Sequence, residues 1–258
     1  MSKIIIIGGT GLIGSKVVTR LVEHGHQAIP ASPASGVDTL TGDGLAEALE
    51  GADVVVDVSN SPSLEDKAAL DFFTRSTTNL LAAERSAGVR HHVALSVVGT
   101  DRLQESGYFR AKLAQEALIG ESDIPYSIVH ATQFYEFAKT IAEAATVGDK
   151  VHLSPALIRP MAADDVASAV GRTGAGEPVN GIREIAGPEE FGLDDLIRTA
   201  FRARGISREV ITDPTARYFT ALLEERTLLP DDGAIIFDTR FEDWLARTAT
   251  PSPAQQNA

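Results

Sequence analysis

Tyr108 and Lys112 stand four residues apart in the segment Tyr-Phe-Arg-Ala-Lys. On a helix that spacing puts both side chains on one face, one turn from each other. An ammonium beside a phenol stabilises the phenolate and draws its pKa from about 10 toward neutrality. A phenol tuned in this way exchanges a proton with a carbonyl or alcohol oxygen near neutral pH. Upstream, Ser96 lies late in the apolar run Val93-Ala-Leu-Ser-Val-Val-Gly99. At the end of a strand its hydroxyl would sit at a sheet edge, able to hold the same substrate oxygen. Taken alone, a Tyr and a Lys at this spacing suit any amphipathic helix. The upstream serine and a nucleotide-binding N-terminus turn the pair toward catalysis.

That N-terminus is Ile4–Ile7, a β-branched run without polar interruption, followed by Gly8, Gly11 and Gly14. The run has the pattern of a strand covered on both faces of a parallel sheet. Gly8 permits a tight turn, Gly11 lets the backbone approach a pyrophosphate, and Gly14 lets the next helix pack close. A helix from about Leu12 to His24 would aim its first amides and positive dipole end at the phosphate. Gly8, Thr10, Gly11, Leu12, Ile13 and Gly14 are therefore the expected phosphate-contacting set.

The choice of dinucleotide turns on the end of the second strand. An NAD site places Asp or Glu there, about twenty residues beyond the glycines; this chain has Ala31 and Ser32. An arginine for a 2′-phosphate is missing too, since no Lys or Arg occurs between Arg20 and Lys67. Ser32 and Ser35, with the amides of the Ser-Pro-Ala-Ser-Gly36 turn, are expected to cradle a 2′-phosphate through neutral donors. NADP is thus favoured over NAD. Ser59 and Asn60, past the strand Asp53–Val58, are expected over the cofactor ribose.

Around these residues apolar strands alternate with amphipathic helices. Strands are expected at Gln27–Ala31, His92–Val98 and Tyr126–His130, and helices at Leu45–Leu49, about Leu64–Ala87 and Tyr108–Ile119. One brief extended piece is expected within Ser32–Gly44. This β-α-β-α order predicts an α/β fold with a doubly wound parallel sheet, cofactor at the carboxyl ends of its strands. A second half, less regular, reads as helices near Phe134–Ala145, after Ala163-Asp-Asp, Leu193–Arg204 and Thr215–Glu225, with extended pieces at Val151–Leu153 and Gly181–Ala186. We expect one domain over 1–248, with a substrate-side lobe from about 134–160 and 187–248. Tyr218, Phe219 and Leu222 are candidates to line its pocket. A tail rich in Pro, Gln, Ser and Ala follows, expected to be disordered from Thr248.

Gly8-Gly-Thr-Gly-Leu-Ile-Gly14, Asp53-Val-Val-Val-Asp57, Ser96, Tyr108-x-x-x-Lys112 and Ala163-Asp-Asp-Val-Ala167 together resemble an atypical short-chain dehydrogenase/reductase of the NmrA-like, NAD(P)-binding branch. The resemblance covers roughly residues 3–200. It implies that Ser96 orients the substrate oxygen and that Tyr108 is the general acid/base. It further implies that Lys112 binds the nicotinamide ribose and depresses the Tyr108 pKa while hydride passes between nicotinamide and substrate carbon. It places Asp43 near the adenine and an Asn, here Asn79, near the lysine. Many NmrA-like members lack the tyrosine, so its presence favours an enzyme. Where the family usually reads Arg-Pro-x-x-Phe, this chain has His130-Ala-Thr-Gln-Phe134. The nicotinamide loop is thereby altered, with Thr132 or Gln133 left to contact the carboxamide.

A net charge of −13 argues against nucleic-acid partners. No apolar run is long enough to span a bilayer, no signal peptide is read at the N-terminus, and cytoplasmic residence is the default. Cysteine is absent, and His24/His26 and His91/His92 lack metal-site spacing; the second pair reads as a surface turn. Asp164 and Asp165 read as helix caps, and His130 as a partly buried loop residue. No G-x-S-x-G hydrolase elbow occurs. The expected activity is an NAD(P)H-dependent oxidoreductase on a small carbonyl or alcohol. The alternatives are a non-catalytic NAD(P) sensor and, less favoured, a nucleotide-sugar epimerase. Substrate and oligomeric state stay open.

Overall fold

The computed structural model describes residues 1–249. In chain order its strands are β1 (Lys3–Ile7), β2 (Gln27–Ala31), β3 (Val54–Asp57), β4 (His91–Val97), β5 (Tyr126–Ala131), β6 (Thr146–Val147), β7 (Lys150–Leu153), β8 (Leu157–Ile158), β9 (Gly181–Ala186), β10 (Phe191–Gly192), β11 (Val210–Thr212) and β12 (Ile235–Ile236). Its helices are α1 (Leu12–Glu23), α2 (Leu45–Leu49), α3 (Asp66–Ala87), α4 (Gly107–Gly120), α5 (Ala138–Ala144), α6 (Ala163–Ala175), α7 (Leu193–Ala203) and α8 (Phe241–Ala249). The chain divides into two compact units, Met1–Ala131 with Ala163–Ile185, and Thr132–Ala162 with the chain from Ala186 onward.

The first unit holds six strands of the main sheet in the order β9-β5-β4-β3-β1-β2, all parallel. Ile4, Ile5 and Ile6 are fully buried, which the alternation of side chains across a strand allows only if both faces are covered. On one face Ile5 and Ile7 share a core with Val55, with Leu45 and Leu49 of α2 and with Leu80 of α3. α1 packs against α6, and α3 against α4. The chain leaves β1 for β2 on one side and sets β3 on the other. The sheet therefore reverses direction between β1 and β3, and ligands of such sheets bind at the strand ends there.

Two local expectations in this unit fail. The stretch between β2 and α2 forms no strand. Pro33–Ser35 is a short 3-10 turn, and Asn79 of α3 donates to the carbonyls of Thr39 (2.9 Å) and Leu40 (3.1 Å), fastening the rest of the loop. His91 and His92 are not a surface turn but are buried in β4. Each has a polar partner that makes burial tolerable. The His91 Nε2 lies 2.9 Å from Ser127 Oγ, and the His92 Nδ1 lies 2.8 Å from the Glu84 carboxylate.

In the second unit β7 sits between parallel β11 and antiparallel β6, and β8 pairs with β10. Tyr135, Phe241 and Trp244 form a ring cluster, with the Tyr135 hydroxyl donating to the Thr239 carbonyl at 2.9 Å. No helix forms at Thr215–Glu225. Asp213 Oδ1 accepts from both the amide and the hydroxyl of Thr215, and such local bonds compete with a helix. Tyr218 and Ala221 then exchange backbone hydrogen bonds (2.8 and 3.0 Å) around Phe219 and Thr220, both at positive φ (45° and 73°). Thr248, expected in the disordered tail, belongs to α8 and donates to the Trp244 carbonyl at 2.9 Å; the tail beyond 249 lies outside the described residues.

Candidate functional site

The turn after β1 is built so that only glycine fits. Gly8 has φ +76°, and a Cβ on Gly14 would lie 2.2 Å from the Gly8 carbonyl oxygen. A Cβ on Gly8 would meet the Ser59 backbone at 3.0 Å, so the β1 and β3 turns lie side by side at the reversal. Gly11 caps α1 without a side-chain hydrogen bond, and the first turn carries no acidic residue. The leading amides of such a helix lack intrahelical partners and favour an anion. The Ser59 hydroxyl is buried without a hydrogen-bond partner, and its amide is oriented by Asp57 Oδ1 at 2.9 Å. A dinucleotide fits this set: the glycine turn and the start of α1 would take its pyrophosphate, and Ser59 offers an unmet hydroxyl.

Other expected cofactor residues are less available. Ser35 Oγ accepts from the Ser32 amide (3.0 Å) and donates to the Ser32 carbonyl (2.9 Å), and the amides of Ser35, Gly36 and Val37 bond to carbonyls within the turn. The cradle expected for a 2′-phosphate is thus closed on itself except for the Ser32 hydroxyl, which is buried without a hydrogen-bond partner. Asp43 Oδ2 accepts from the Thr41 hydroxyl at 2.8 Å. Asn79 serves the Thr39–Leu40 loop. In the second unit Thr132 donates its hydroxyl to the Arg159 carbonyl at 2.6 Å, whereas both polar atoms of the Gln133 amide are buried without partners.

α4 starts at Gly107 after Ser106, and Lys112, Gln115, Glu116 and Ile119 recur on its buried side. Lys112 is 3% exposed. Its ammonium donates to the Leu95 carbonyl at 3.0 Å and to Gln115 Oε1, and it lies 4.5 Å from the centre of the Phe73 ring. Gln115 passes the interaction on to Asp57 Oδ2 at 3.1 Å. Burial lowers the lysine to about 8, against the opposing pull of Asp57 and Glu116.

Tyr108, one turn earlier, donates to Asn60 Oδ1 at 3.0 Å. Its pKa is pushed up to about 12 by burial, with the Asn60 bond pulling the other way. The expected activation is therefore reversed. Lys112 was to lower the phenol, but its ammonium is spent on a strand carbonyl and Gln115, and desolvation of the phenol wins. The arrangement keeps Tyr108 a neutral donor.

Ser96 also differs from expectation. Ser96, His130 and Glu184 occupy the same rung across β4, β5 and β9. Glu116 of α4 covers that rung, accepting from Ser96 Oγ, from Thr100 Oγ1 (3.2 Å) and from His130 Nε2 (3.0 Å). The far nitrogen of His130 lies 3.8 Å from Glu184. His130 is hence no loop residue. Burial alone would lower its pKa, but the hydrogen bonds to Glu116 and Glu184 outweigh it and raise the group to about 9. With its proton committed to Glu116, Ser96 presents lone pairs rather than a donor.

Sequence reasoning gave no role to Gln115, Glu116 or Glu184, and took Asp57 only as part of a motif. Gln115 and Glu116 were findable, being three and four residues past Lys112 on one helix face. Glu184 was not, because it meets His130 only through the β5–β9 pairing. Asp164, expected as a cap, lies in the first turn of α6 and pairs with Lys16 at 3.0 Å. Among the described residues no cluster able to hold a metal ion occurs, and no helix is long and apolar enough to cross a membrane.

The sequence profile described as NAD(P)H-binding matches residues 8–171. Photosystem II assembly factor Ycf39 of Synechocystis is 20% identical over 234 residues, 83% of this chain and 71% of that protein. Divinyl chlorophyllide a 8-vinyl-reductase of Cucumis sativus is 32% identical over 169 residues, 52% of this chain and 39% of that protein. The crystal structure of dTDP-4-dehydrorhamnose reductase from Bacillus anthracis in complex with NADP superposes with a TM-score of 0.70 at 16% identity, covering 96% of this chain and 98% of that one. At that identity the likeness speaks for the fold.

Proposed function

The chain belongs to the NAD(P)H-binding family, and from that premise we propose that it is a reductase of a small carbonyl compound with Tyr108 as the proton donor. The observation that carries this reading is the Tyr108 hydroxyl held on Asn60 Oδ1 at 3.0 Å, at the β3 turn that lies against the glycine turn, with burial raising the phenol to about 12 and keeping it protonated. At neutral pH its phenolate fraction is on the order of one part in 100,000, so the proton is in place, on a weaker acid than a free phenol. A hydroxyl that carries its proton is the form carbonyl reduction needs, whereas alcohol oxidation needs the phenolate. Asn60, at the β3 turn beside the glycine turn, holds the hydroxyl through a neutral bond that a substrate oxygen can replace. Bound nicotinamide would supply hydride. Lys112, through Gln115 and Asp57, stiffens α4 under Tyr108. The cucumber relative is likewise named a reductase, though of a vinyl group and not of a carbonyl.

A second reading is a dinucleotide-binding protein without turnover. It is favoured by the commitment of Ser96 to Glu116 and of Lys112 to Leu95 and Gln115, and by the relative named as an assembly factor. Oxidation of reduced cofactor against a panel of ketones and aldehydes separates the two. Turnover that disappears in Tyr108→Phe while cofactor still binds supports the reductase. Tight binding with no turnover across the panel supports the second reading.

A further inference from the structure

We infer that the loop after β2 selects NADH over NADPH, because it offers a phosphate no cation, most of its neutral donors bond within its own turn, and its charges are of the wrong sign. This rests on the glycine turn being the dinucleotide site. The two cofactors differ at the adenosine ribose, by a neutral hydroxyl in one and a phosphate of about −1.5 to −2 charge in the other. A phosphate taken from water needs charge-assisted donors to offset its desolvation.

Among the Ser32–Val37 donors, the amides of Ser32, Ser35, Gly36 and Val37 and the Ser35 hydroxyl bond within the turn, while the Ser32 hydroxyl, buried without a partner, is a neutral donor that suits a ribose hydroxyl as well as a phosphate. Opening the turn would give up those bonds before a phosphate gained any. No Lys or Arg lies between Arg20 and Lys67. The loop itself carries Asp38, which accepts from the Leu40 amide at 2.8 Å, and Asp43, which accepts from Thr41. Arg75 of α3 approaches at the Leu40 carbonyl (3.4 Å), beyond the turn. A ribose hydroxyl asks only for a neutral partner and meets no such opposition.

The test is equilibrium titration of the full chain with NADH and with NADPH, followed by the fluorescence of the reduced nicotinamide, in about 0.15 M salt. NADH is expected to bind at least about tenfold more tightly, equivalent to about 1.4 kcal/mol. Ala34 is an exposed residue of the turn. Ala34→Arg supplies the missing cation and is expected to tighten NADPH by about tenfold while NADH is unchanged. Equal or tighter NADPH binding by the wild type overturns the inference. An NADH preference that Ala34→Arg leaves untouched overturns its cause, the missing cation. Binding of neither dinucleotide overturns the site itself and the selection with it.

Discussion

At the scale of single residues, the functional question is which groups still have something to give. Tyr108 does, as a neutral donor. Its replacement by Phe is expected to lower turnover by about 100-fold or more, the usual contribution of a placed acid, with cofactor affinity unchanged by fluorescence titration. His130 gives a different handle, because its pKa rises from 6.5 to about 9 on folding. A raised folded-state pKa adds stability that is complete below the unfolded value and is lost as pH climbs through the folded one. Stability should therefore fall between about pH 6.5 and 9, by something on the order of 3 kcal/mol if the shift is fully expressed. Denaturant melts across that range would show the fall in wild type and a flattened profile in His130→Gln. An unchanged profile in the variant would mean that the Glu116–His130–Glu184 group does not titrate as placed.

At the scale of elements, the glycine turn is the feature on which binding most depends. Gly14→Ala would press a methyl group 2.2 Å from the Gly8 carbonyl, a separation no packing accommodates. Dinucleotide binding should be abolished, with the melting temperature lowered by several degrees; binding retained at wild-type affinity would exclude this turn as the phosphate site. The turn was legible in sequence because it is local: a β-branched run, three spaced glycines and a helix carry their geometry with them. Strands β1 to β5 and helices α1 to α4 were legible for the same reason. The chemistry of α4 was only half legible. Spacing told that Tyr108 and Lys112 share a face, but not that the Leu95 carbonyl and Gln115 would take the ammonium, since strand register decides that. Ser96 was placed at the strand end and then lost its proton to Glu116, a partner that appears only once α4 lies over β4. In the second unit, strands of two to four residues such as β6, β8 and β10 leave no periodicity to read. There the turn at Asp213–Thr215 outcompeted an expected helix.

At the scale of the whole molecule, a protein of net charge −13 must accept an anionic dinucleotide. The start of α1 supplies only about half a positive charge, felt within the first turn. Over longer distances the field of the chain is repulsive, and it acts on the encounter more than on the docked state. Salt shortens the reach of that field, from about 30 Å at 0.01 M to about 8 Å at 0.15 M. The association rate of NADH should accordingly rise a few-fold across that range, with little change in dissociation, as read by stopped-flow fluorescence. This sign is opposite to that of a site guided by lysines or arginines, where added salt slows capture. A rate that fell with salt would reveal a positive potential around the strand ends, and the absence of a phosphate-binding cation after β2 would then have to be reconsidered, because some other basic group would be reaching the same crevice.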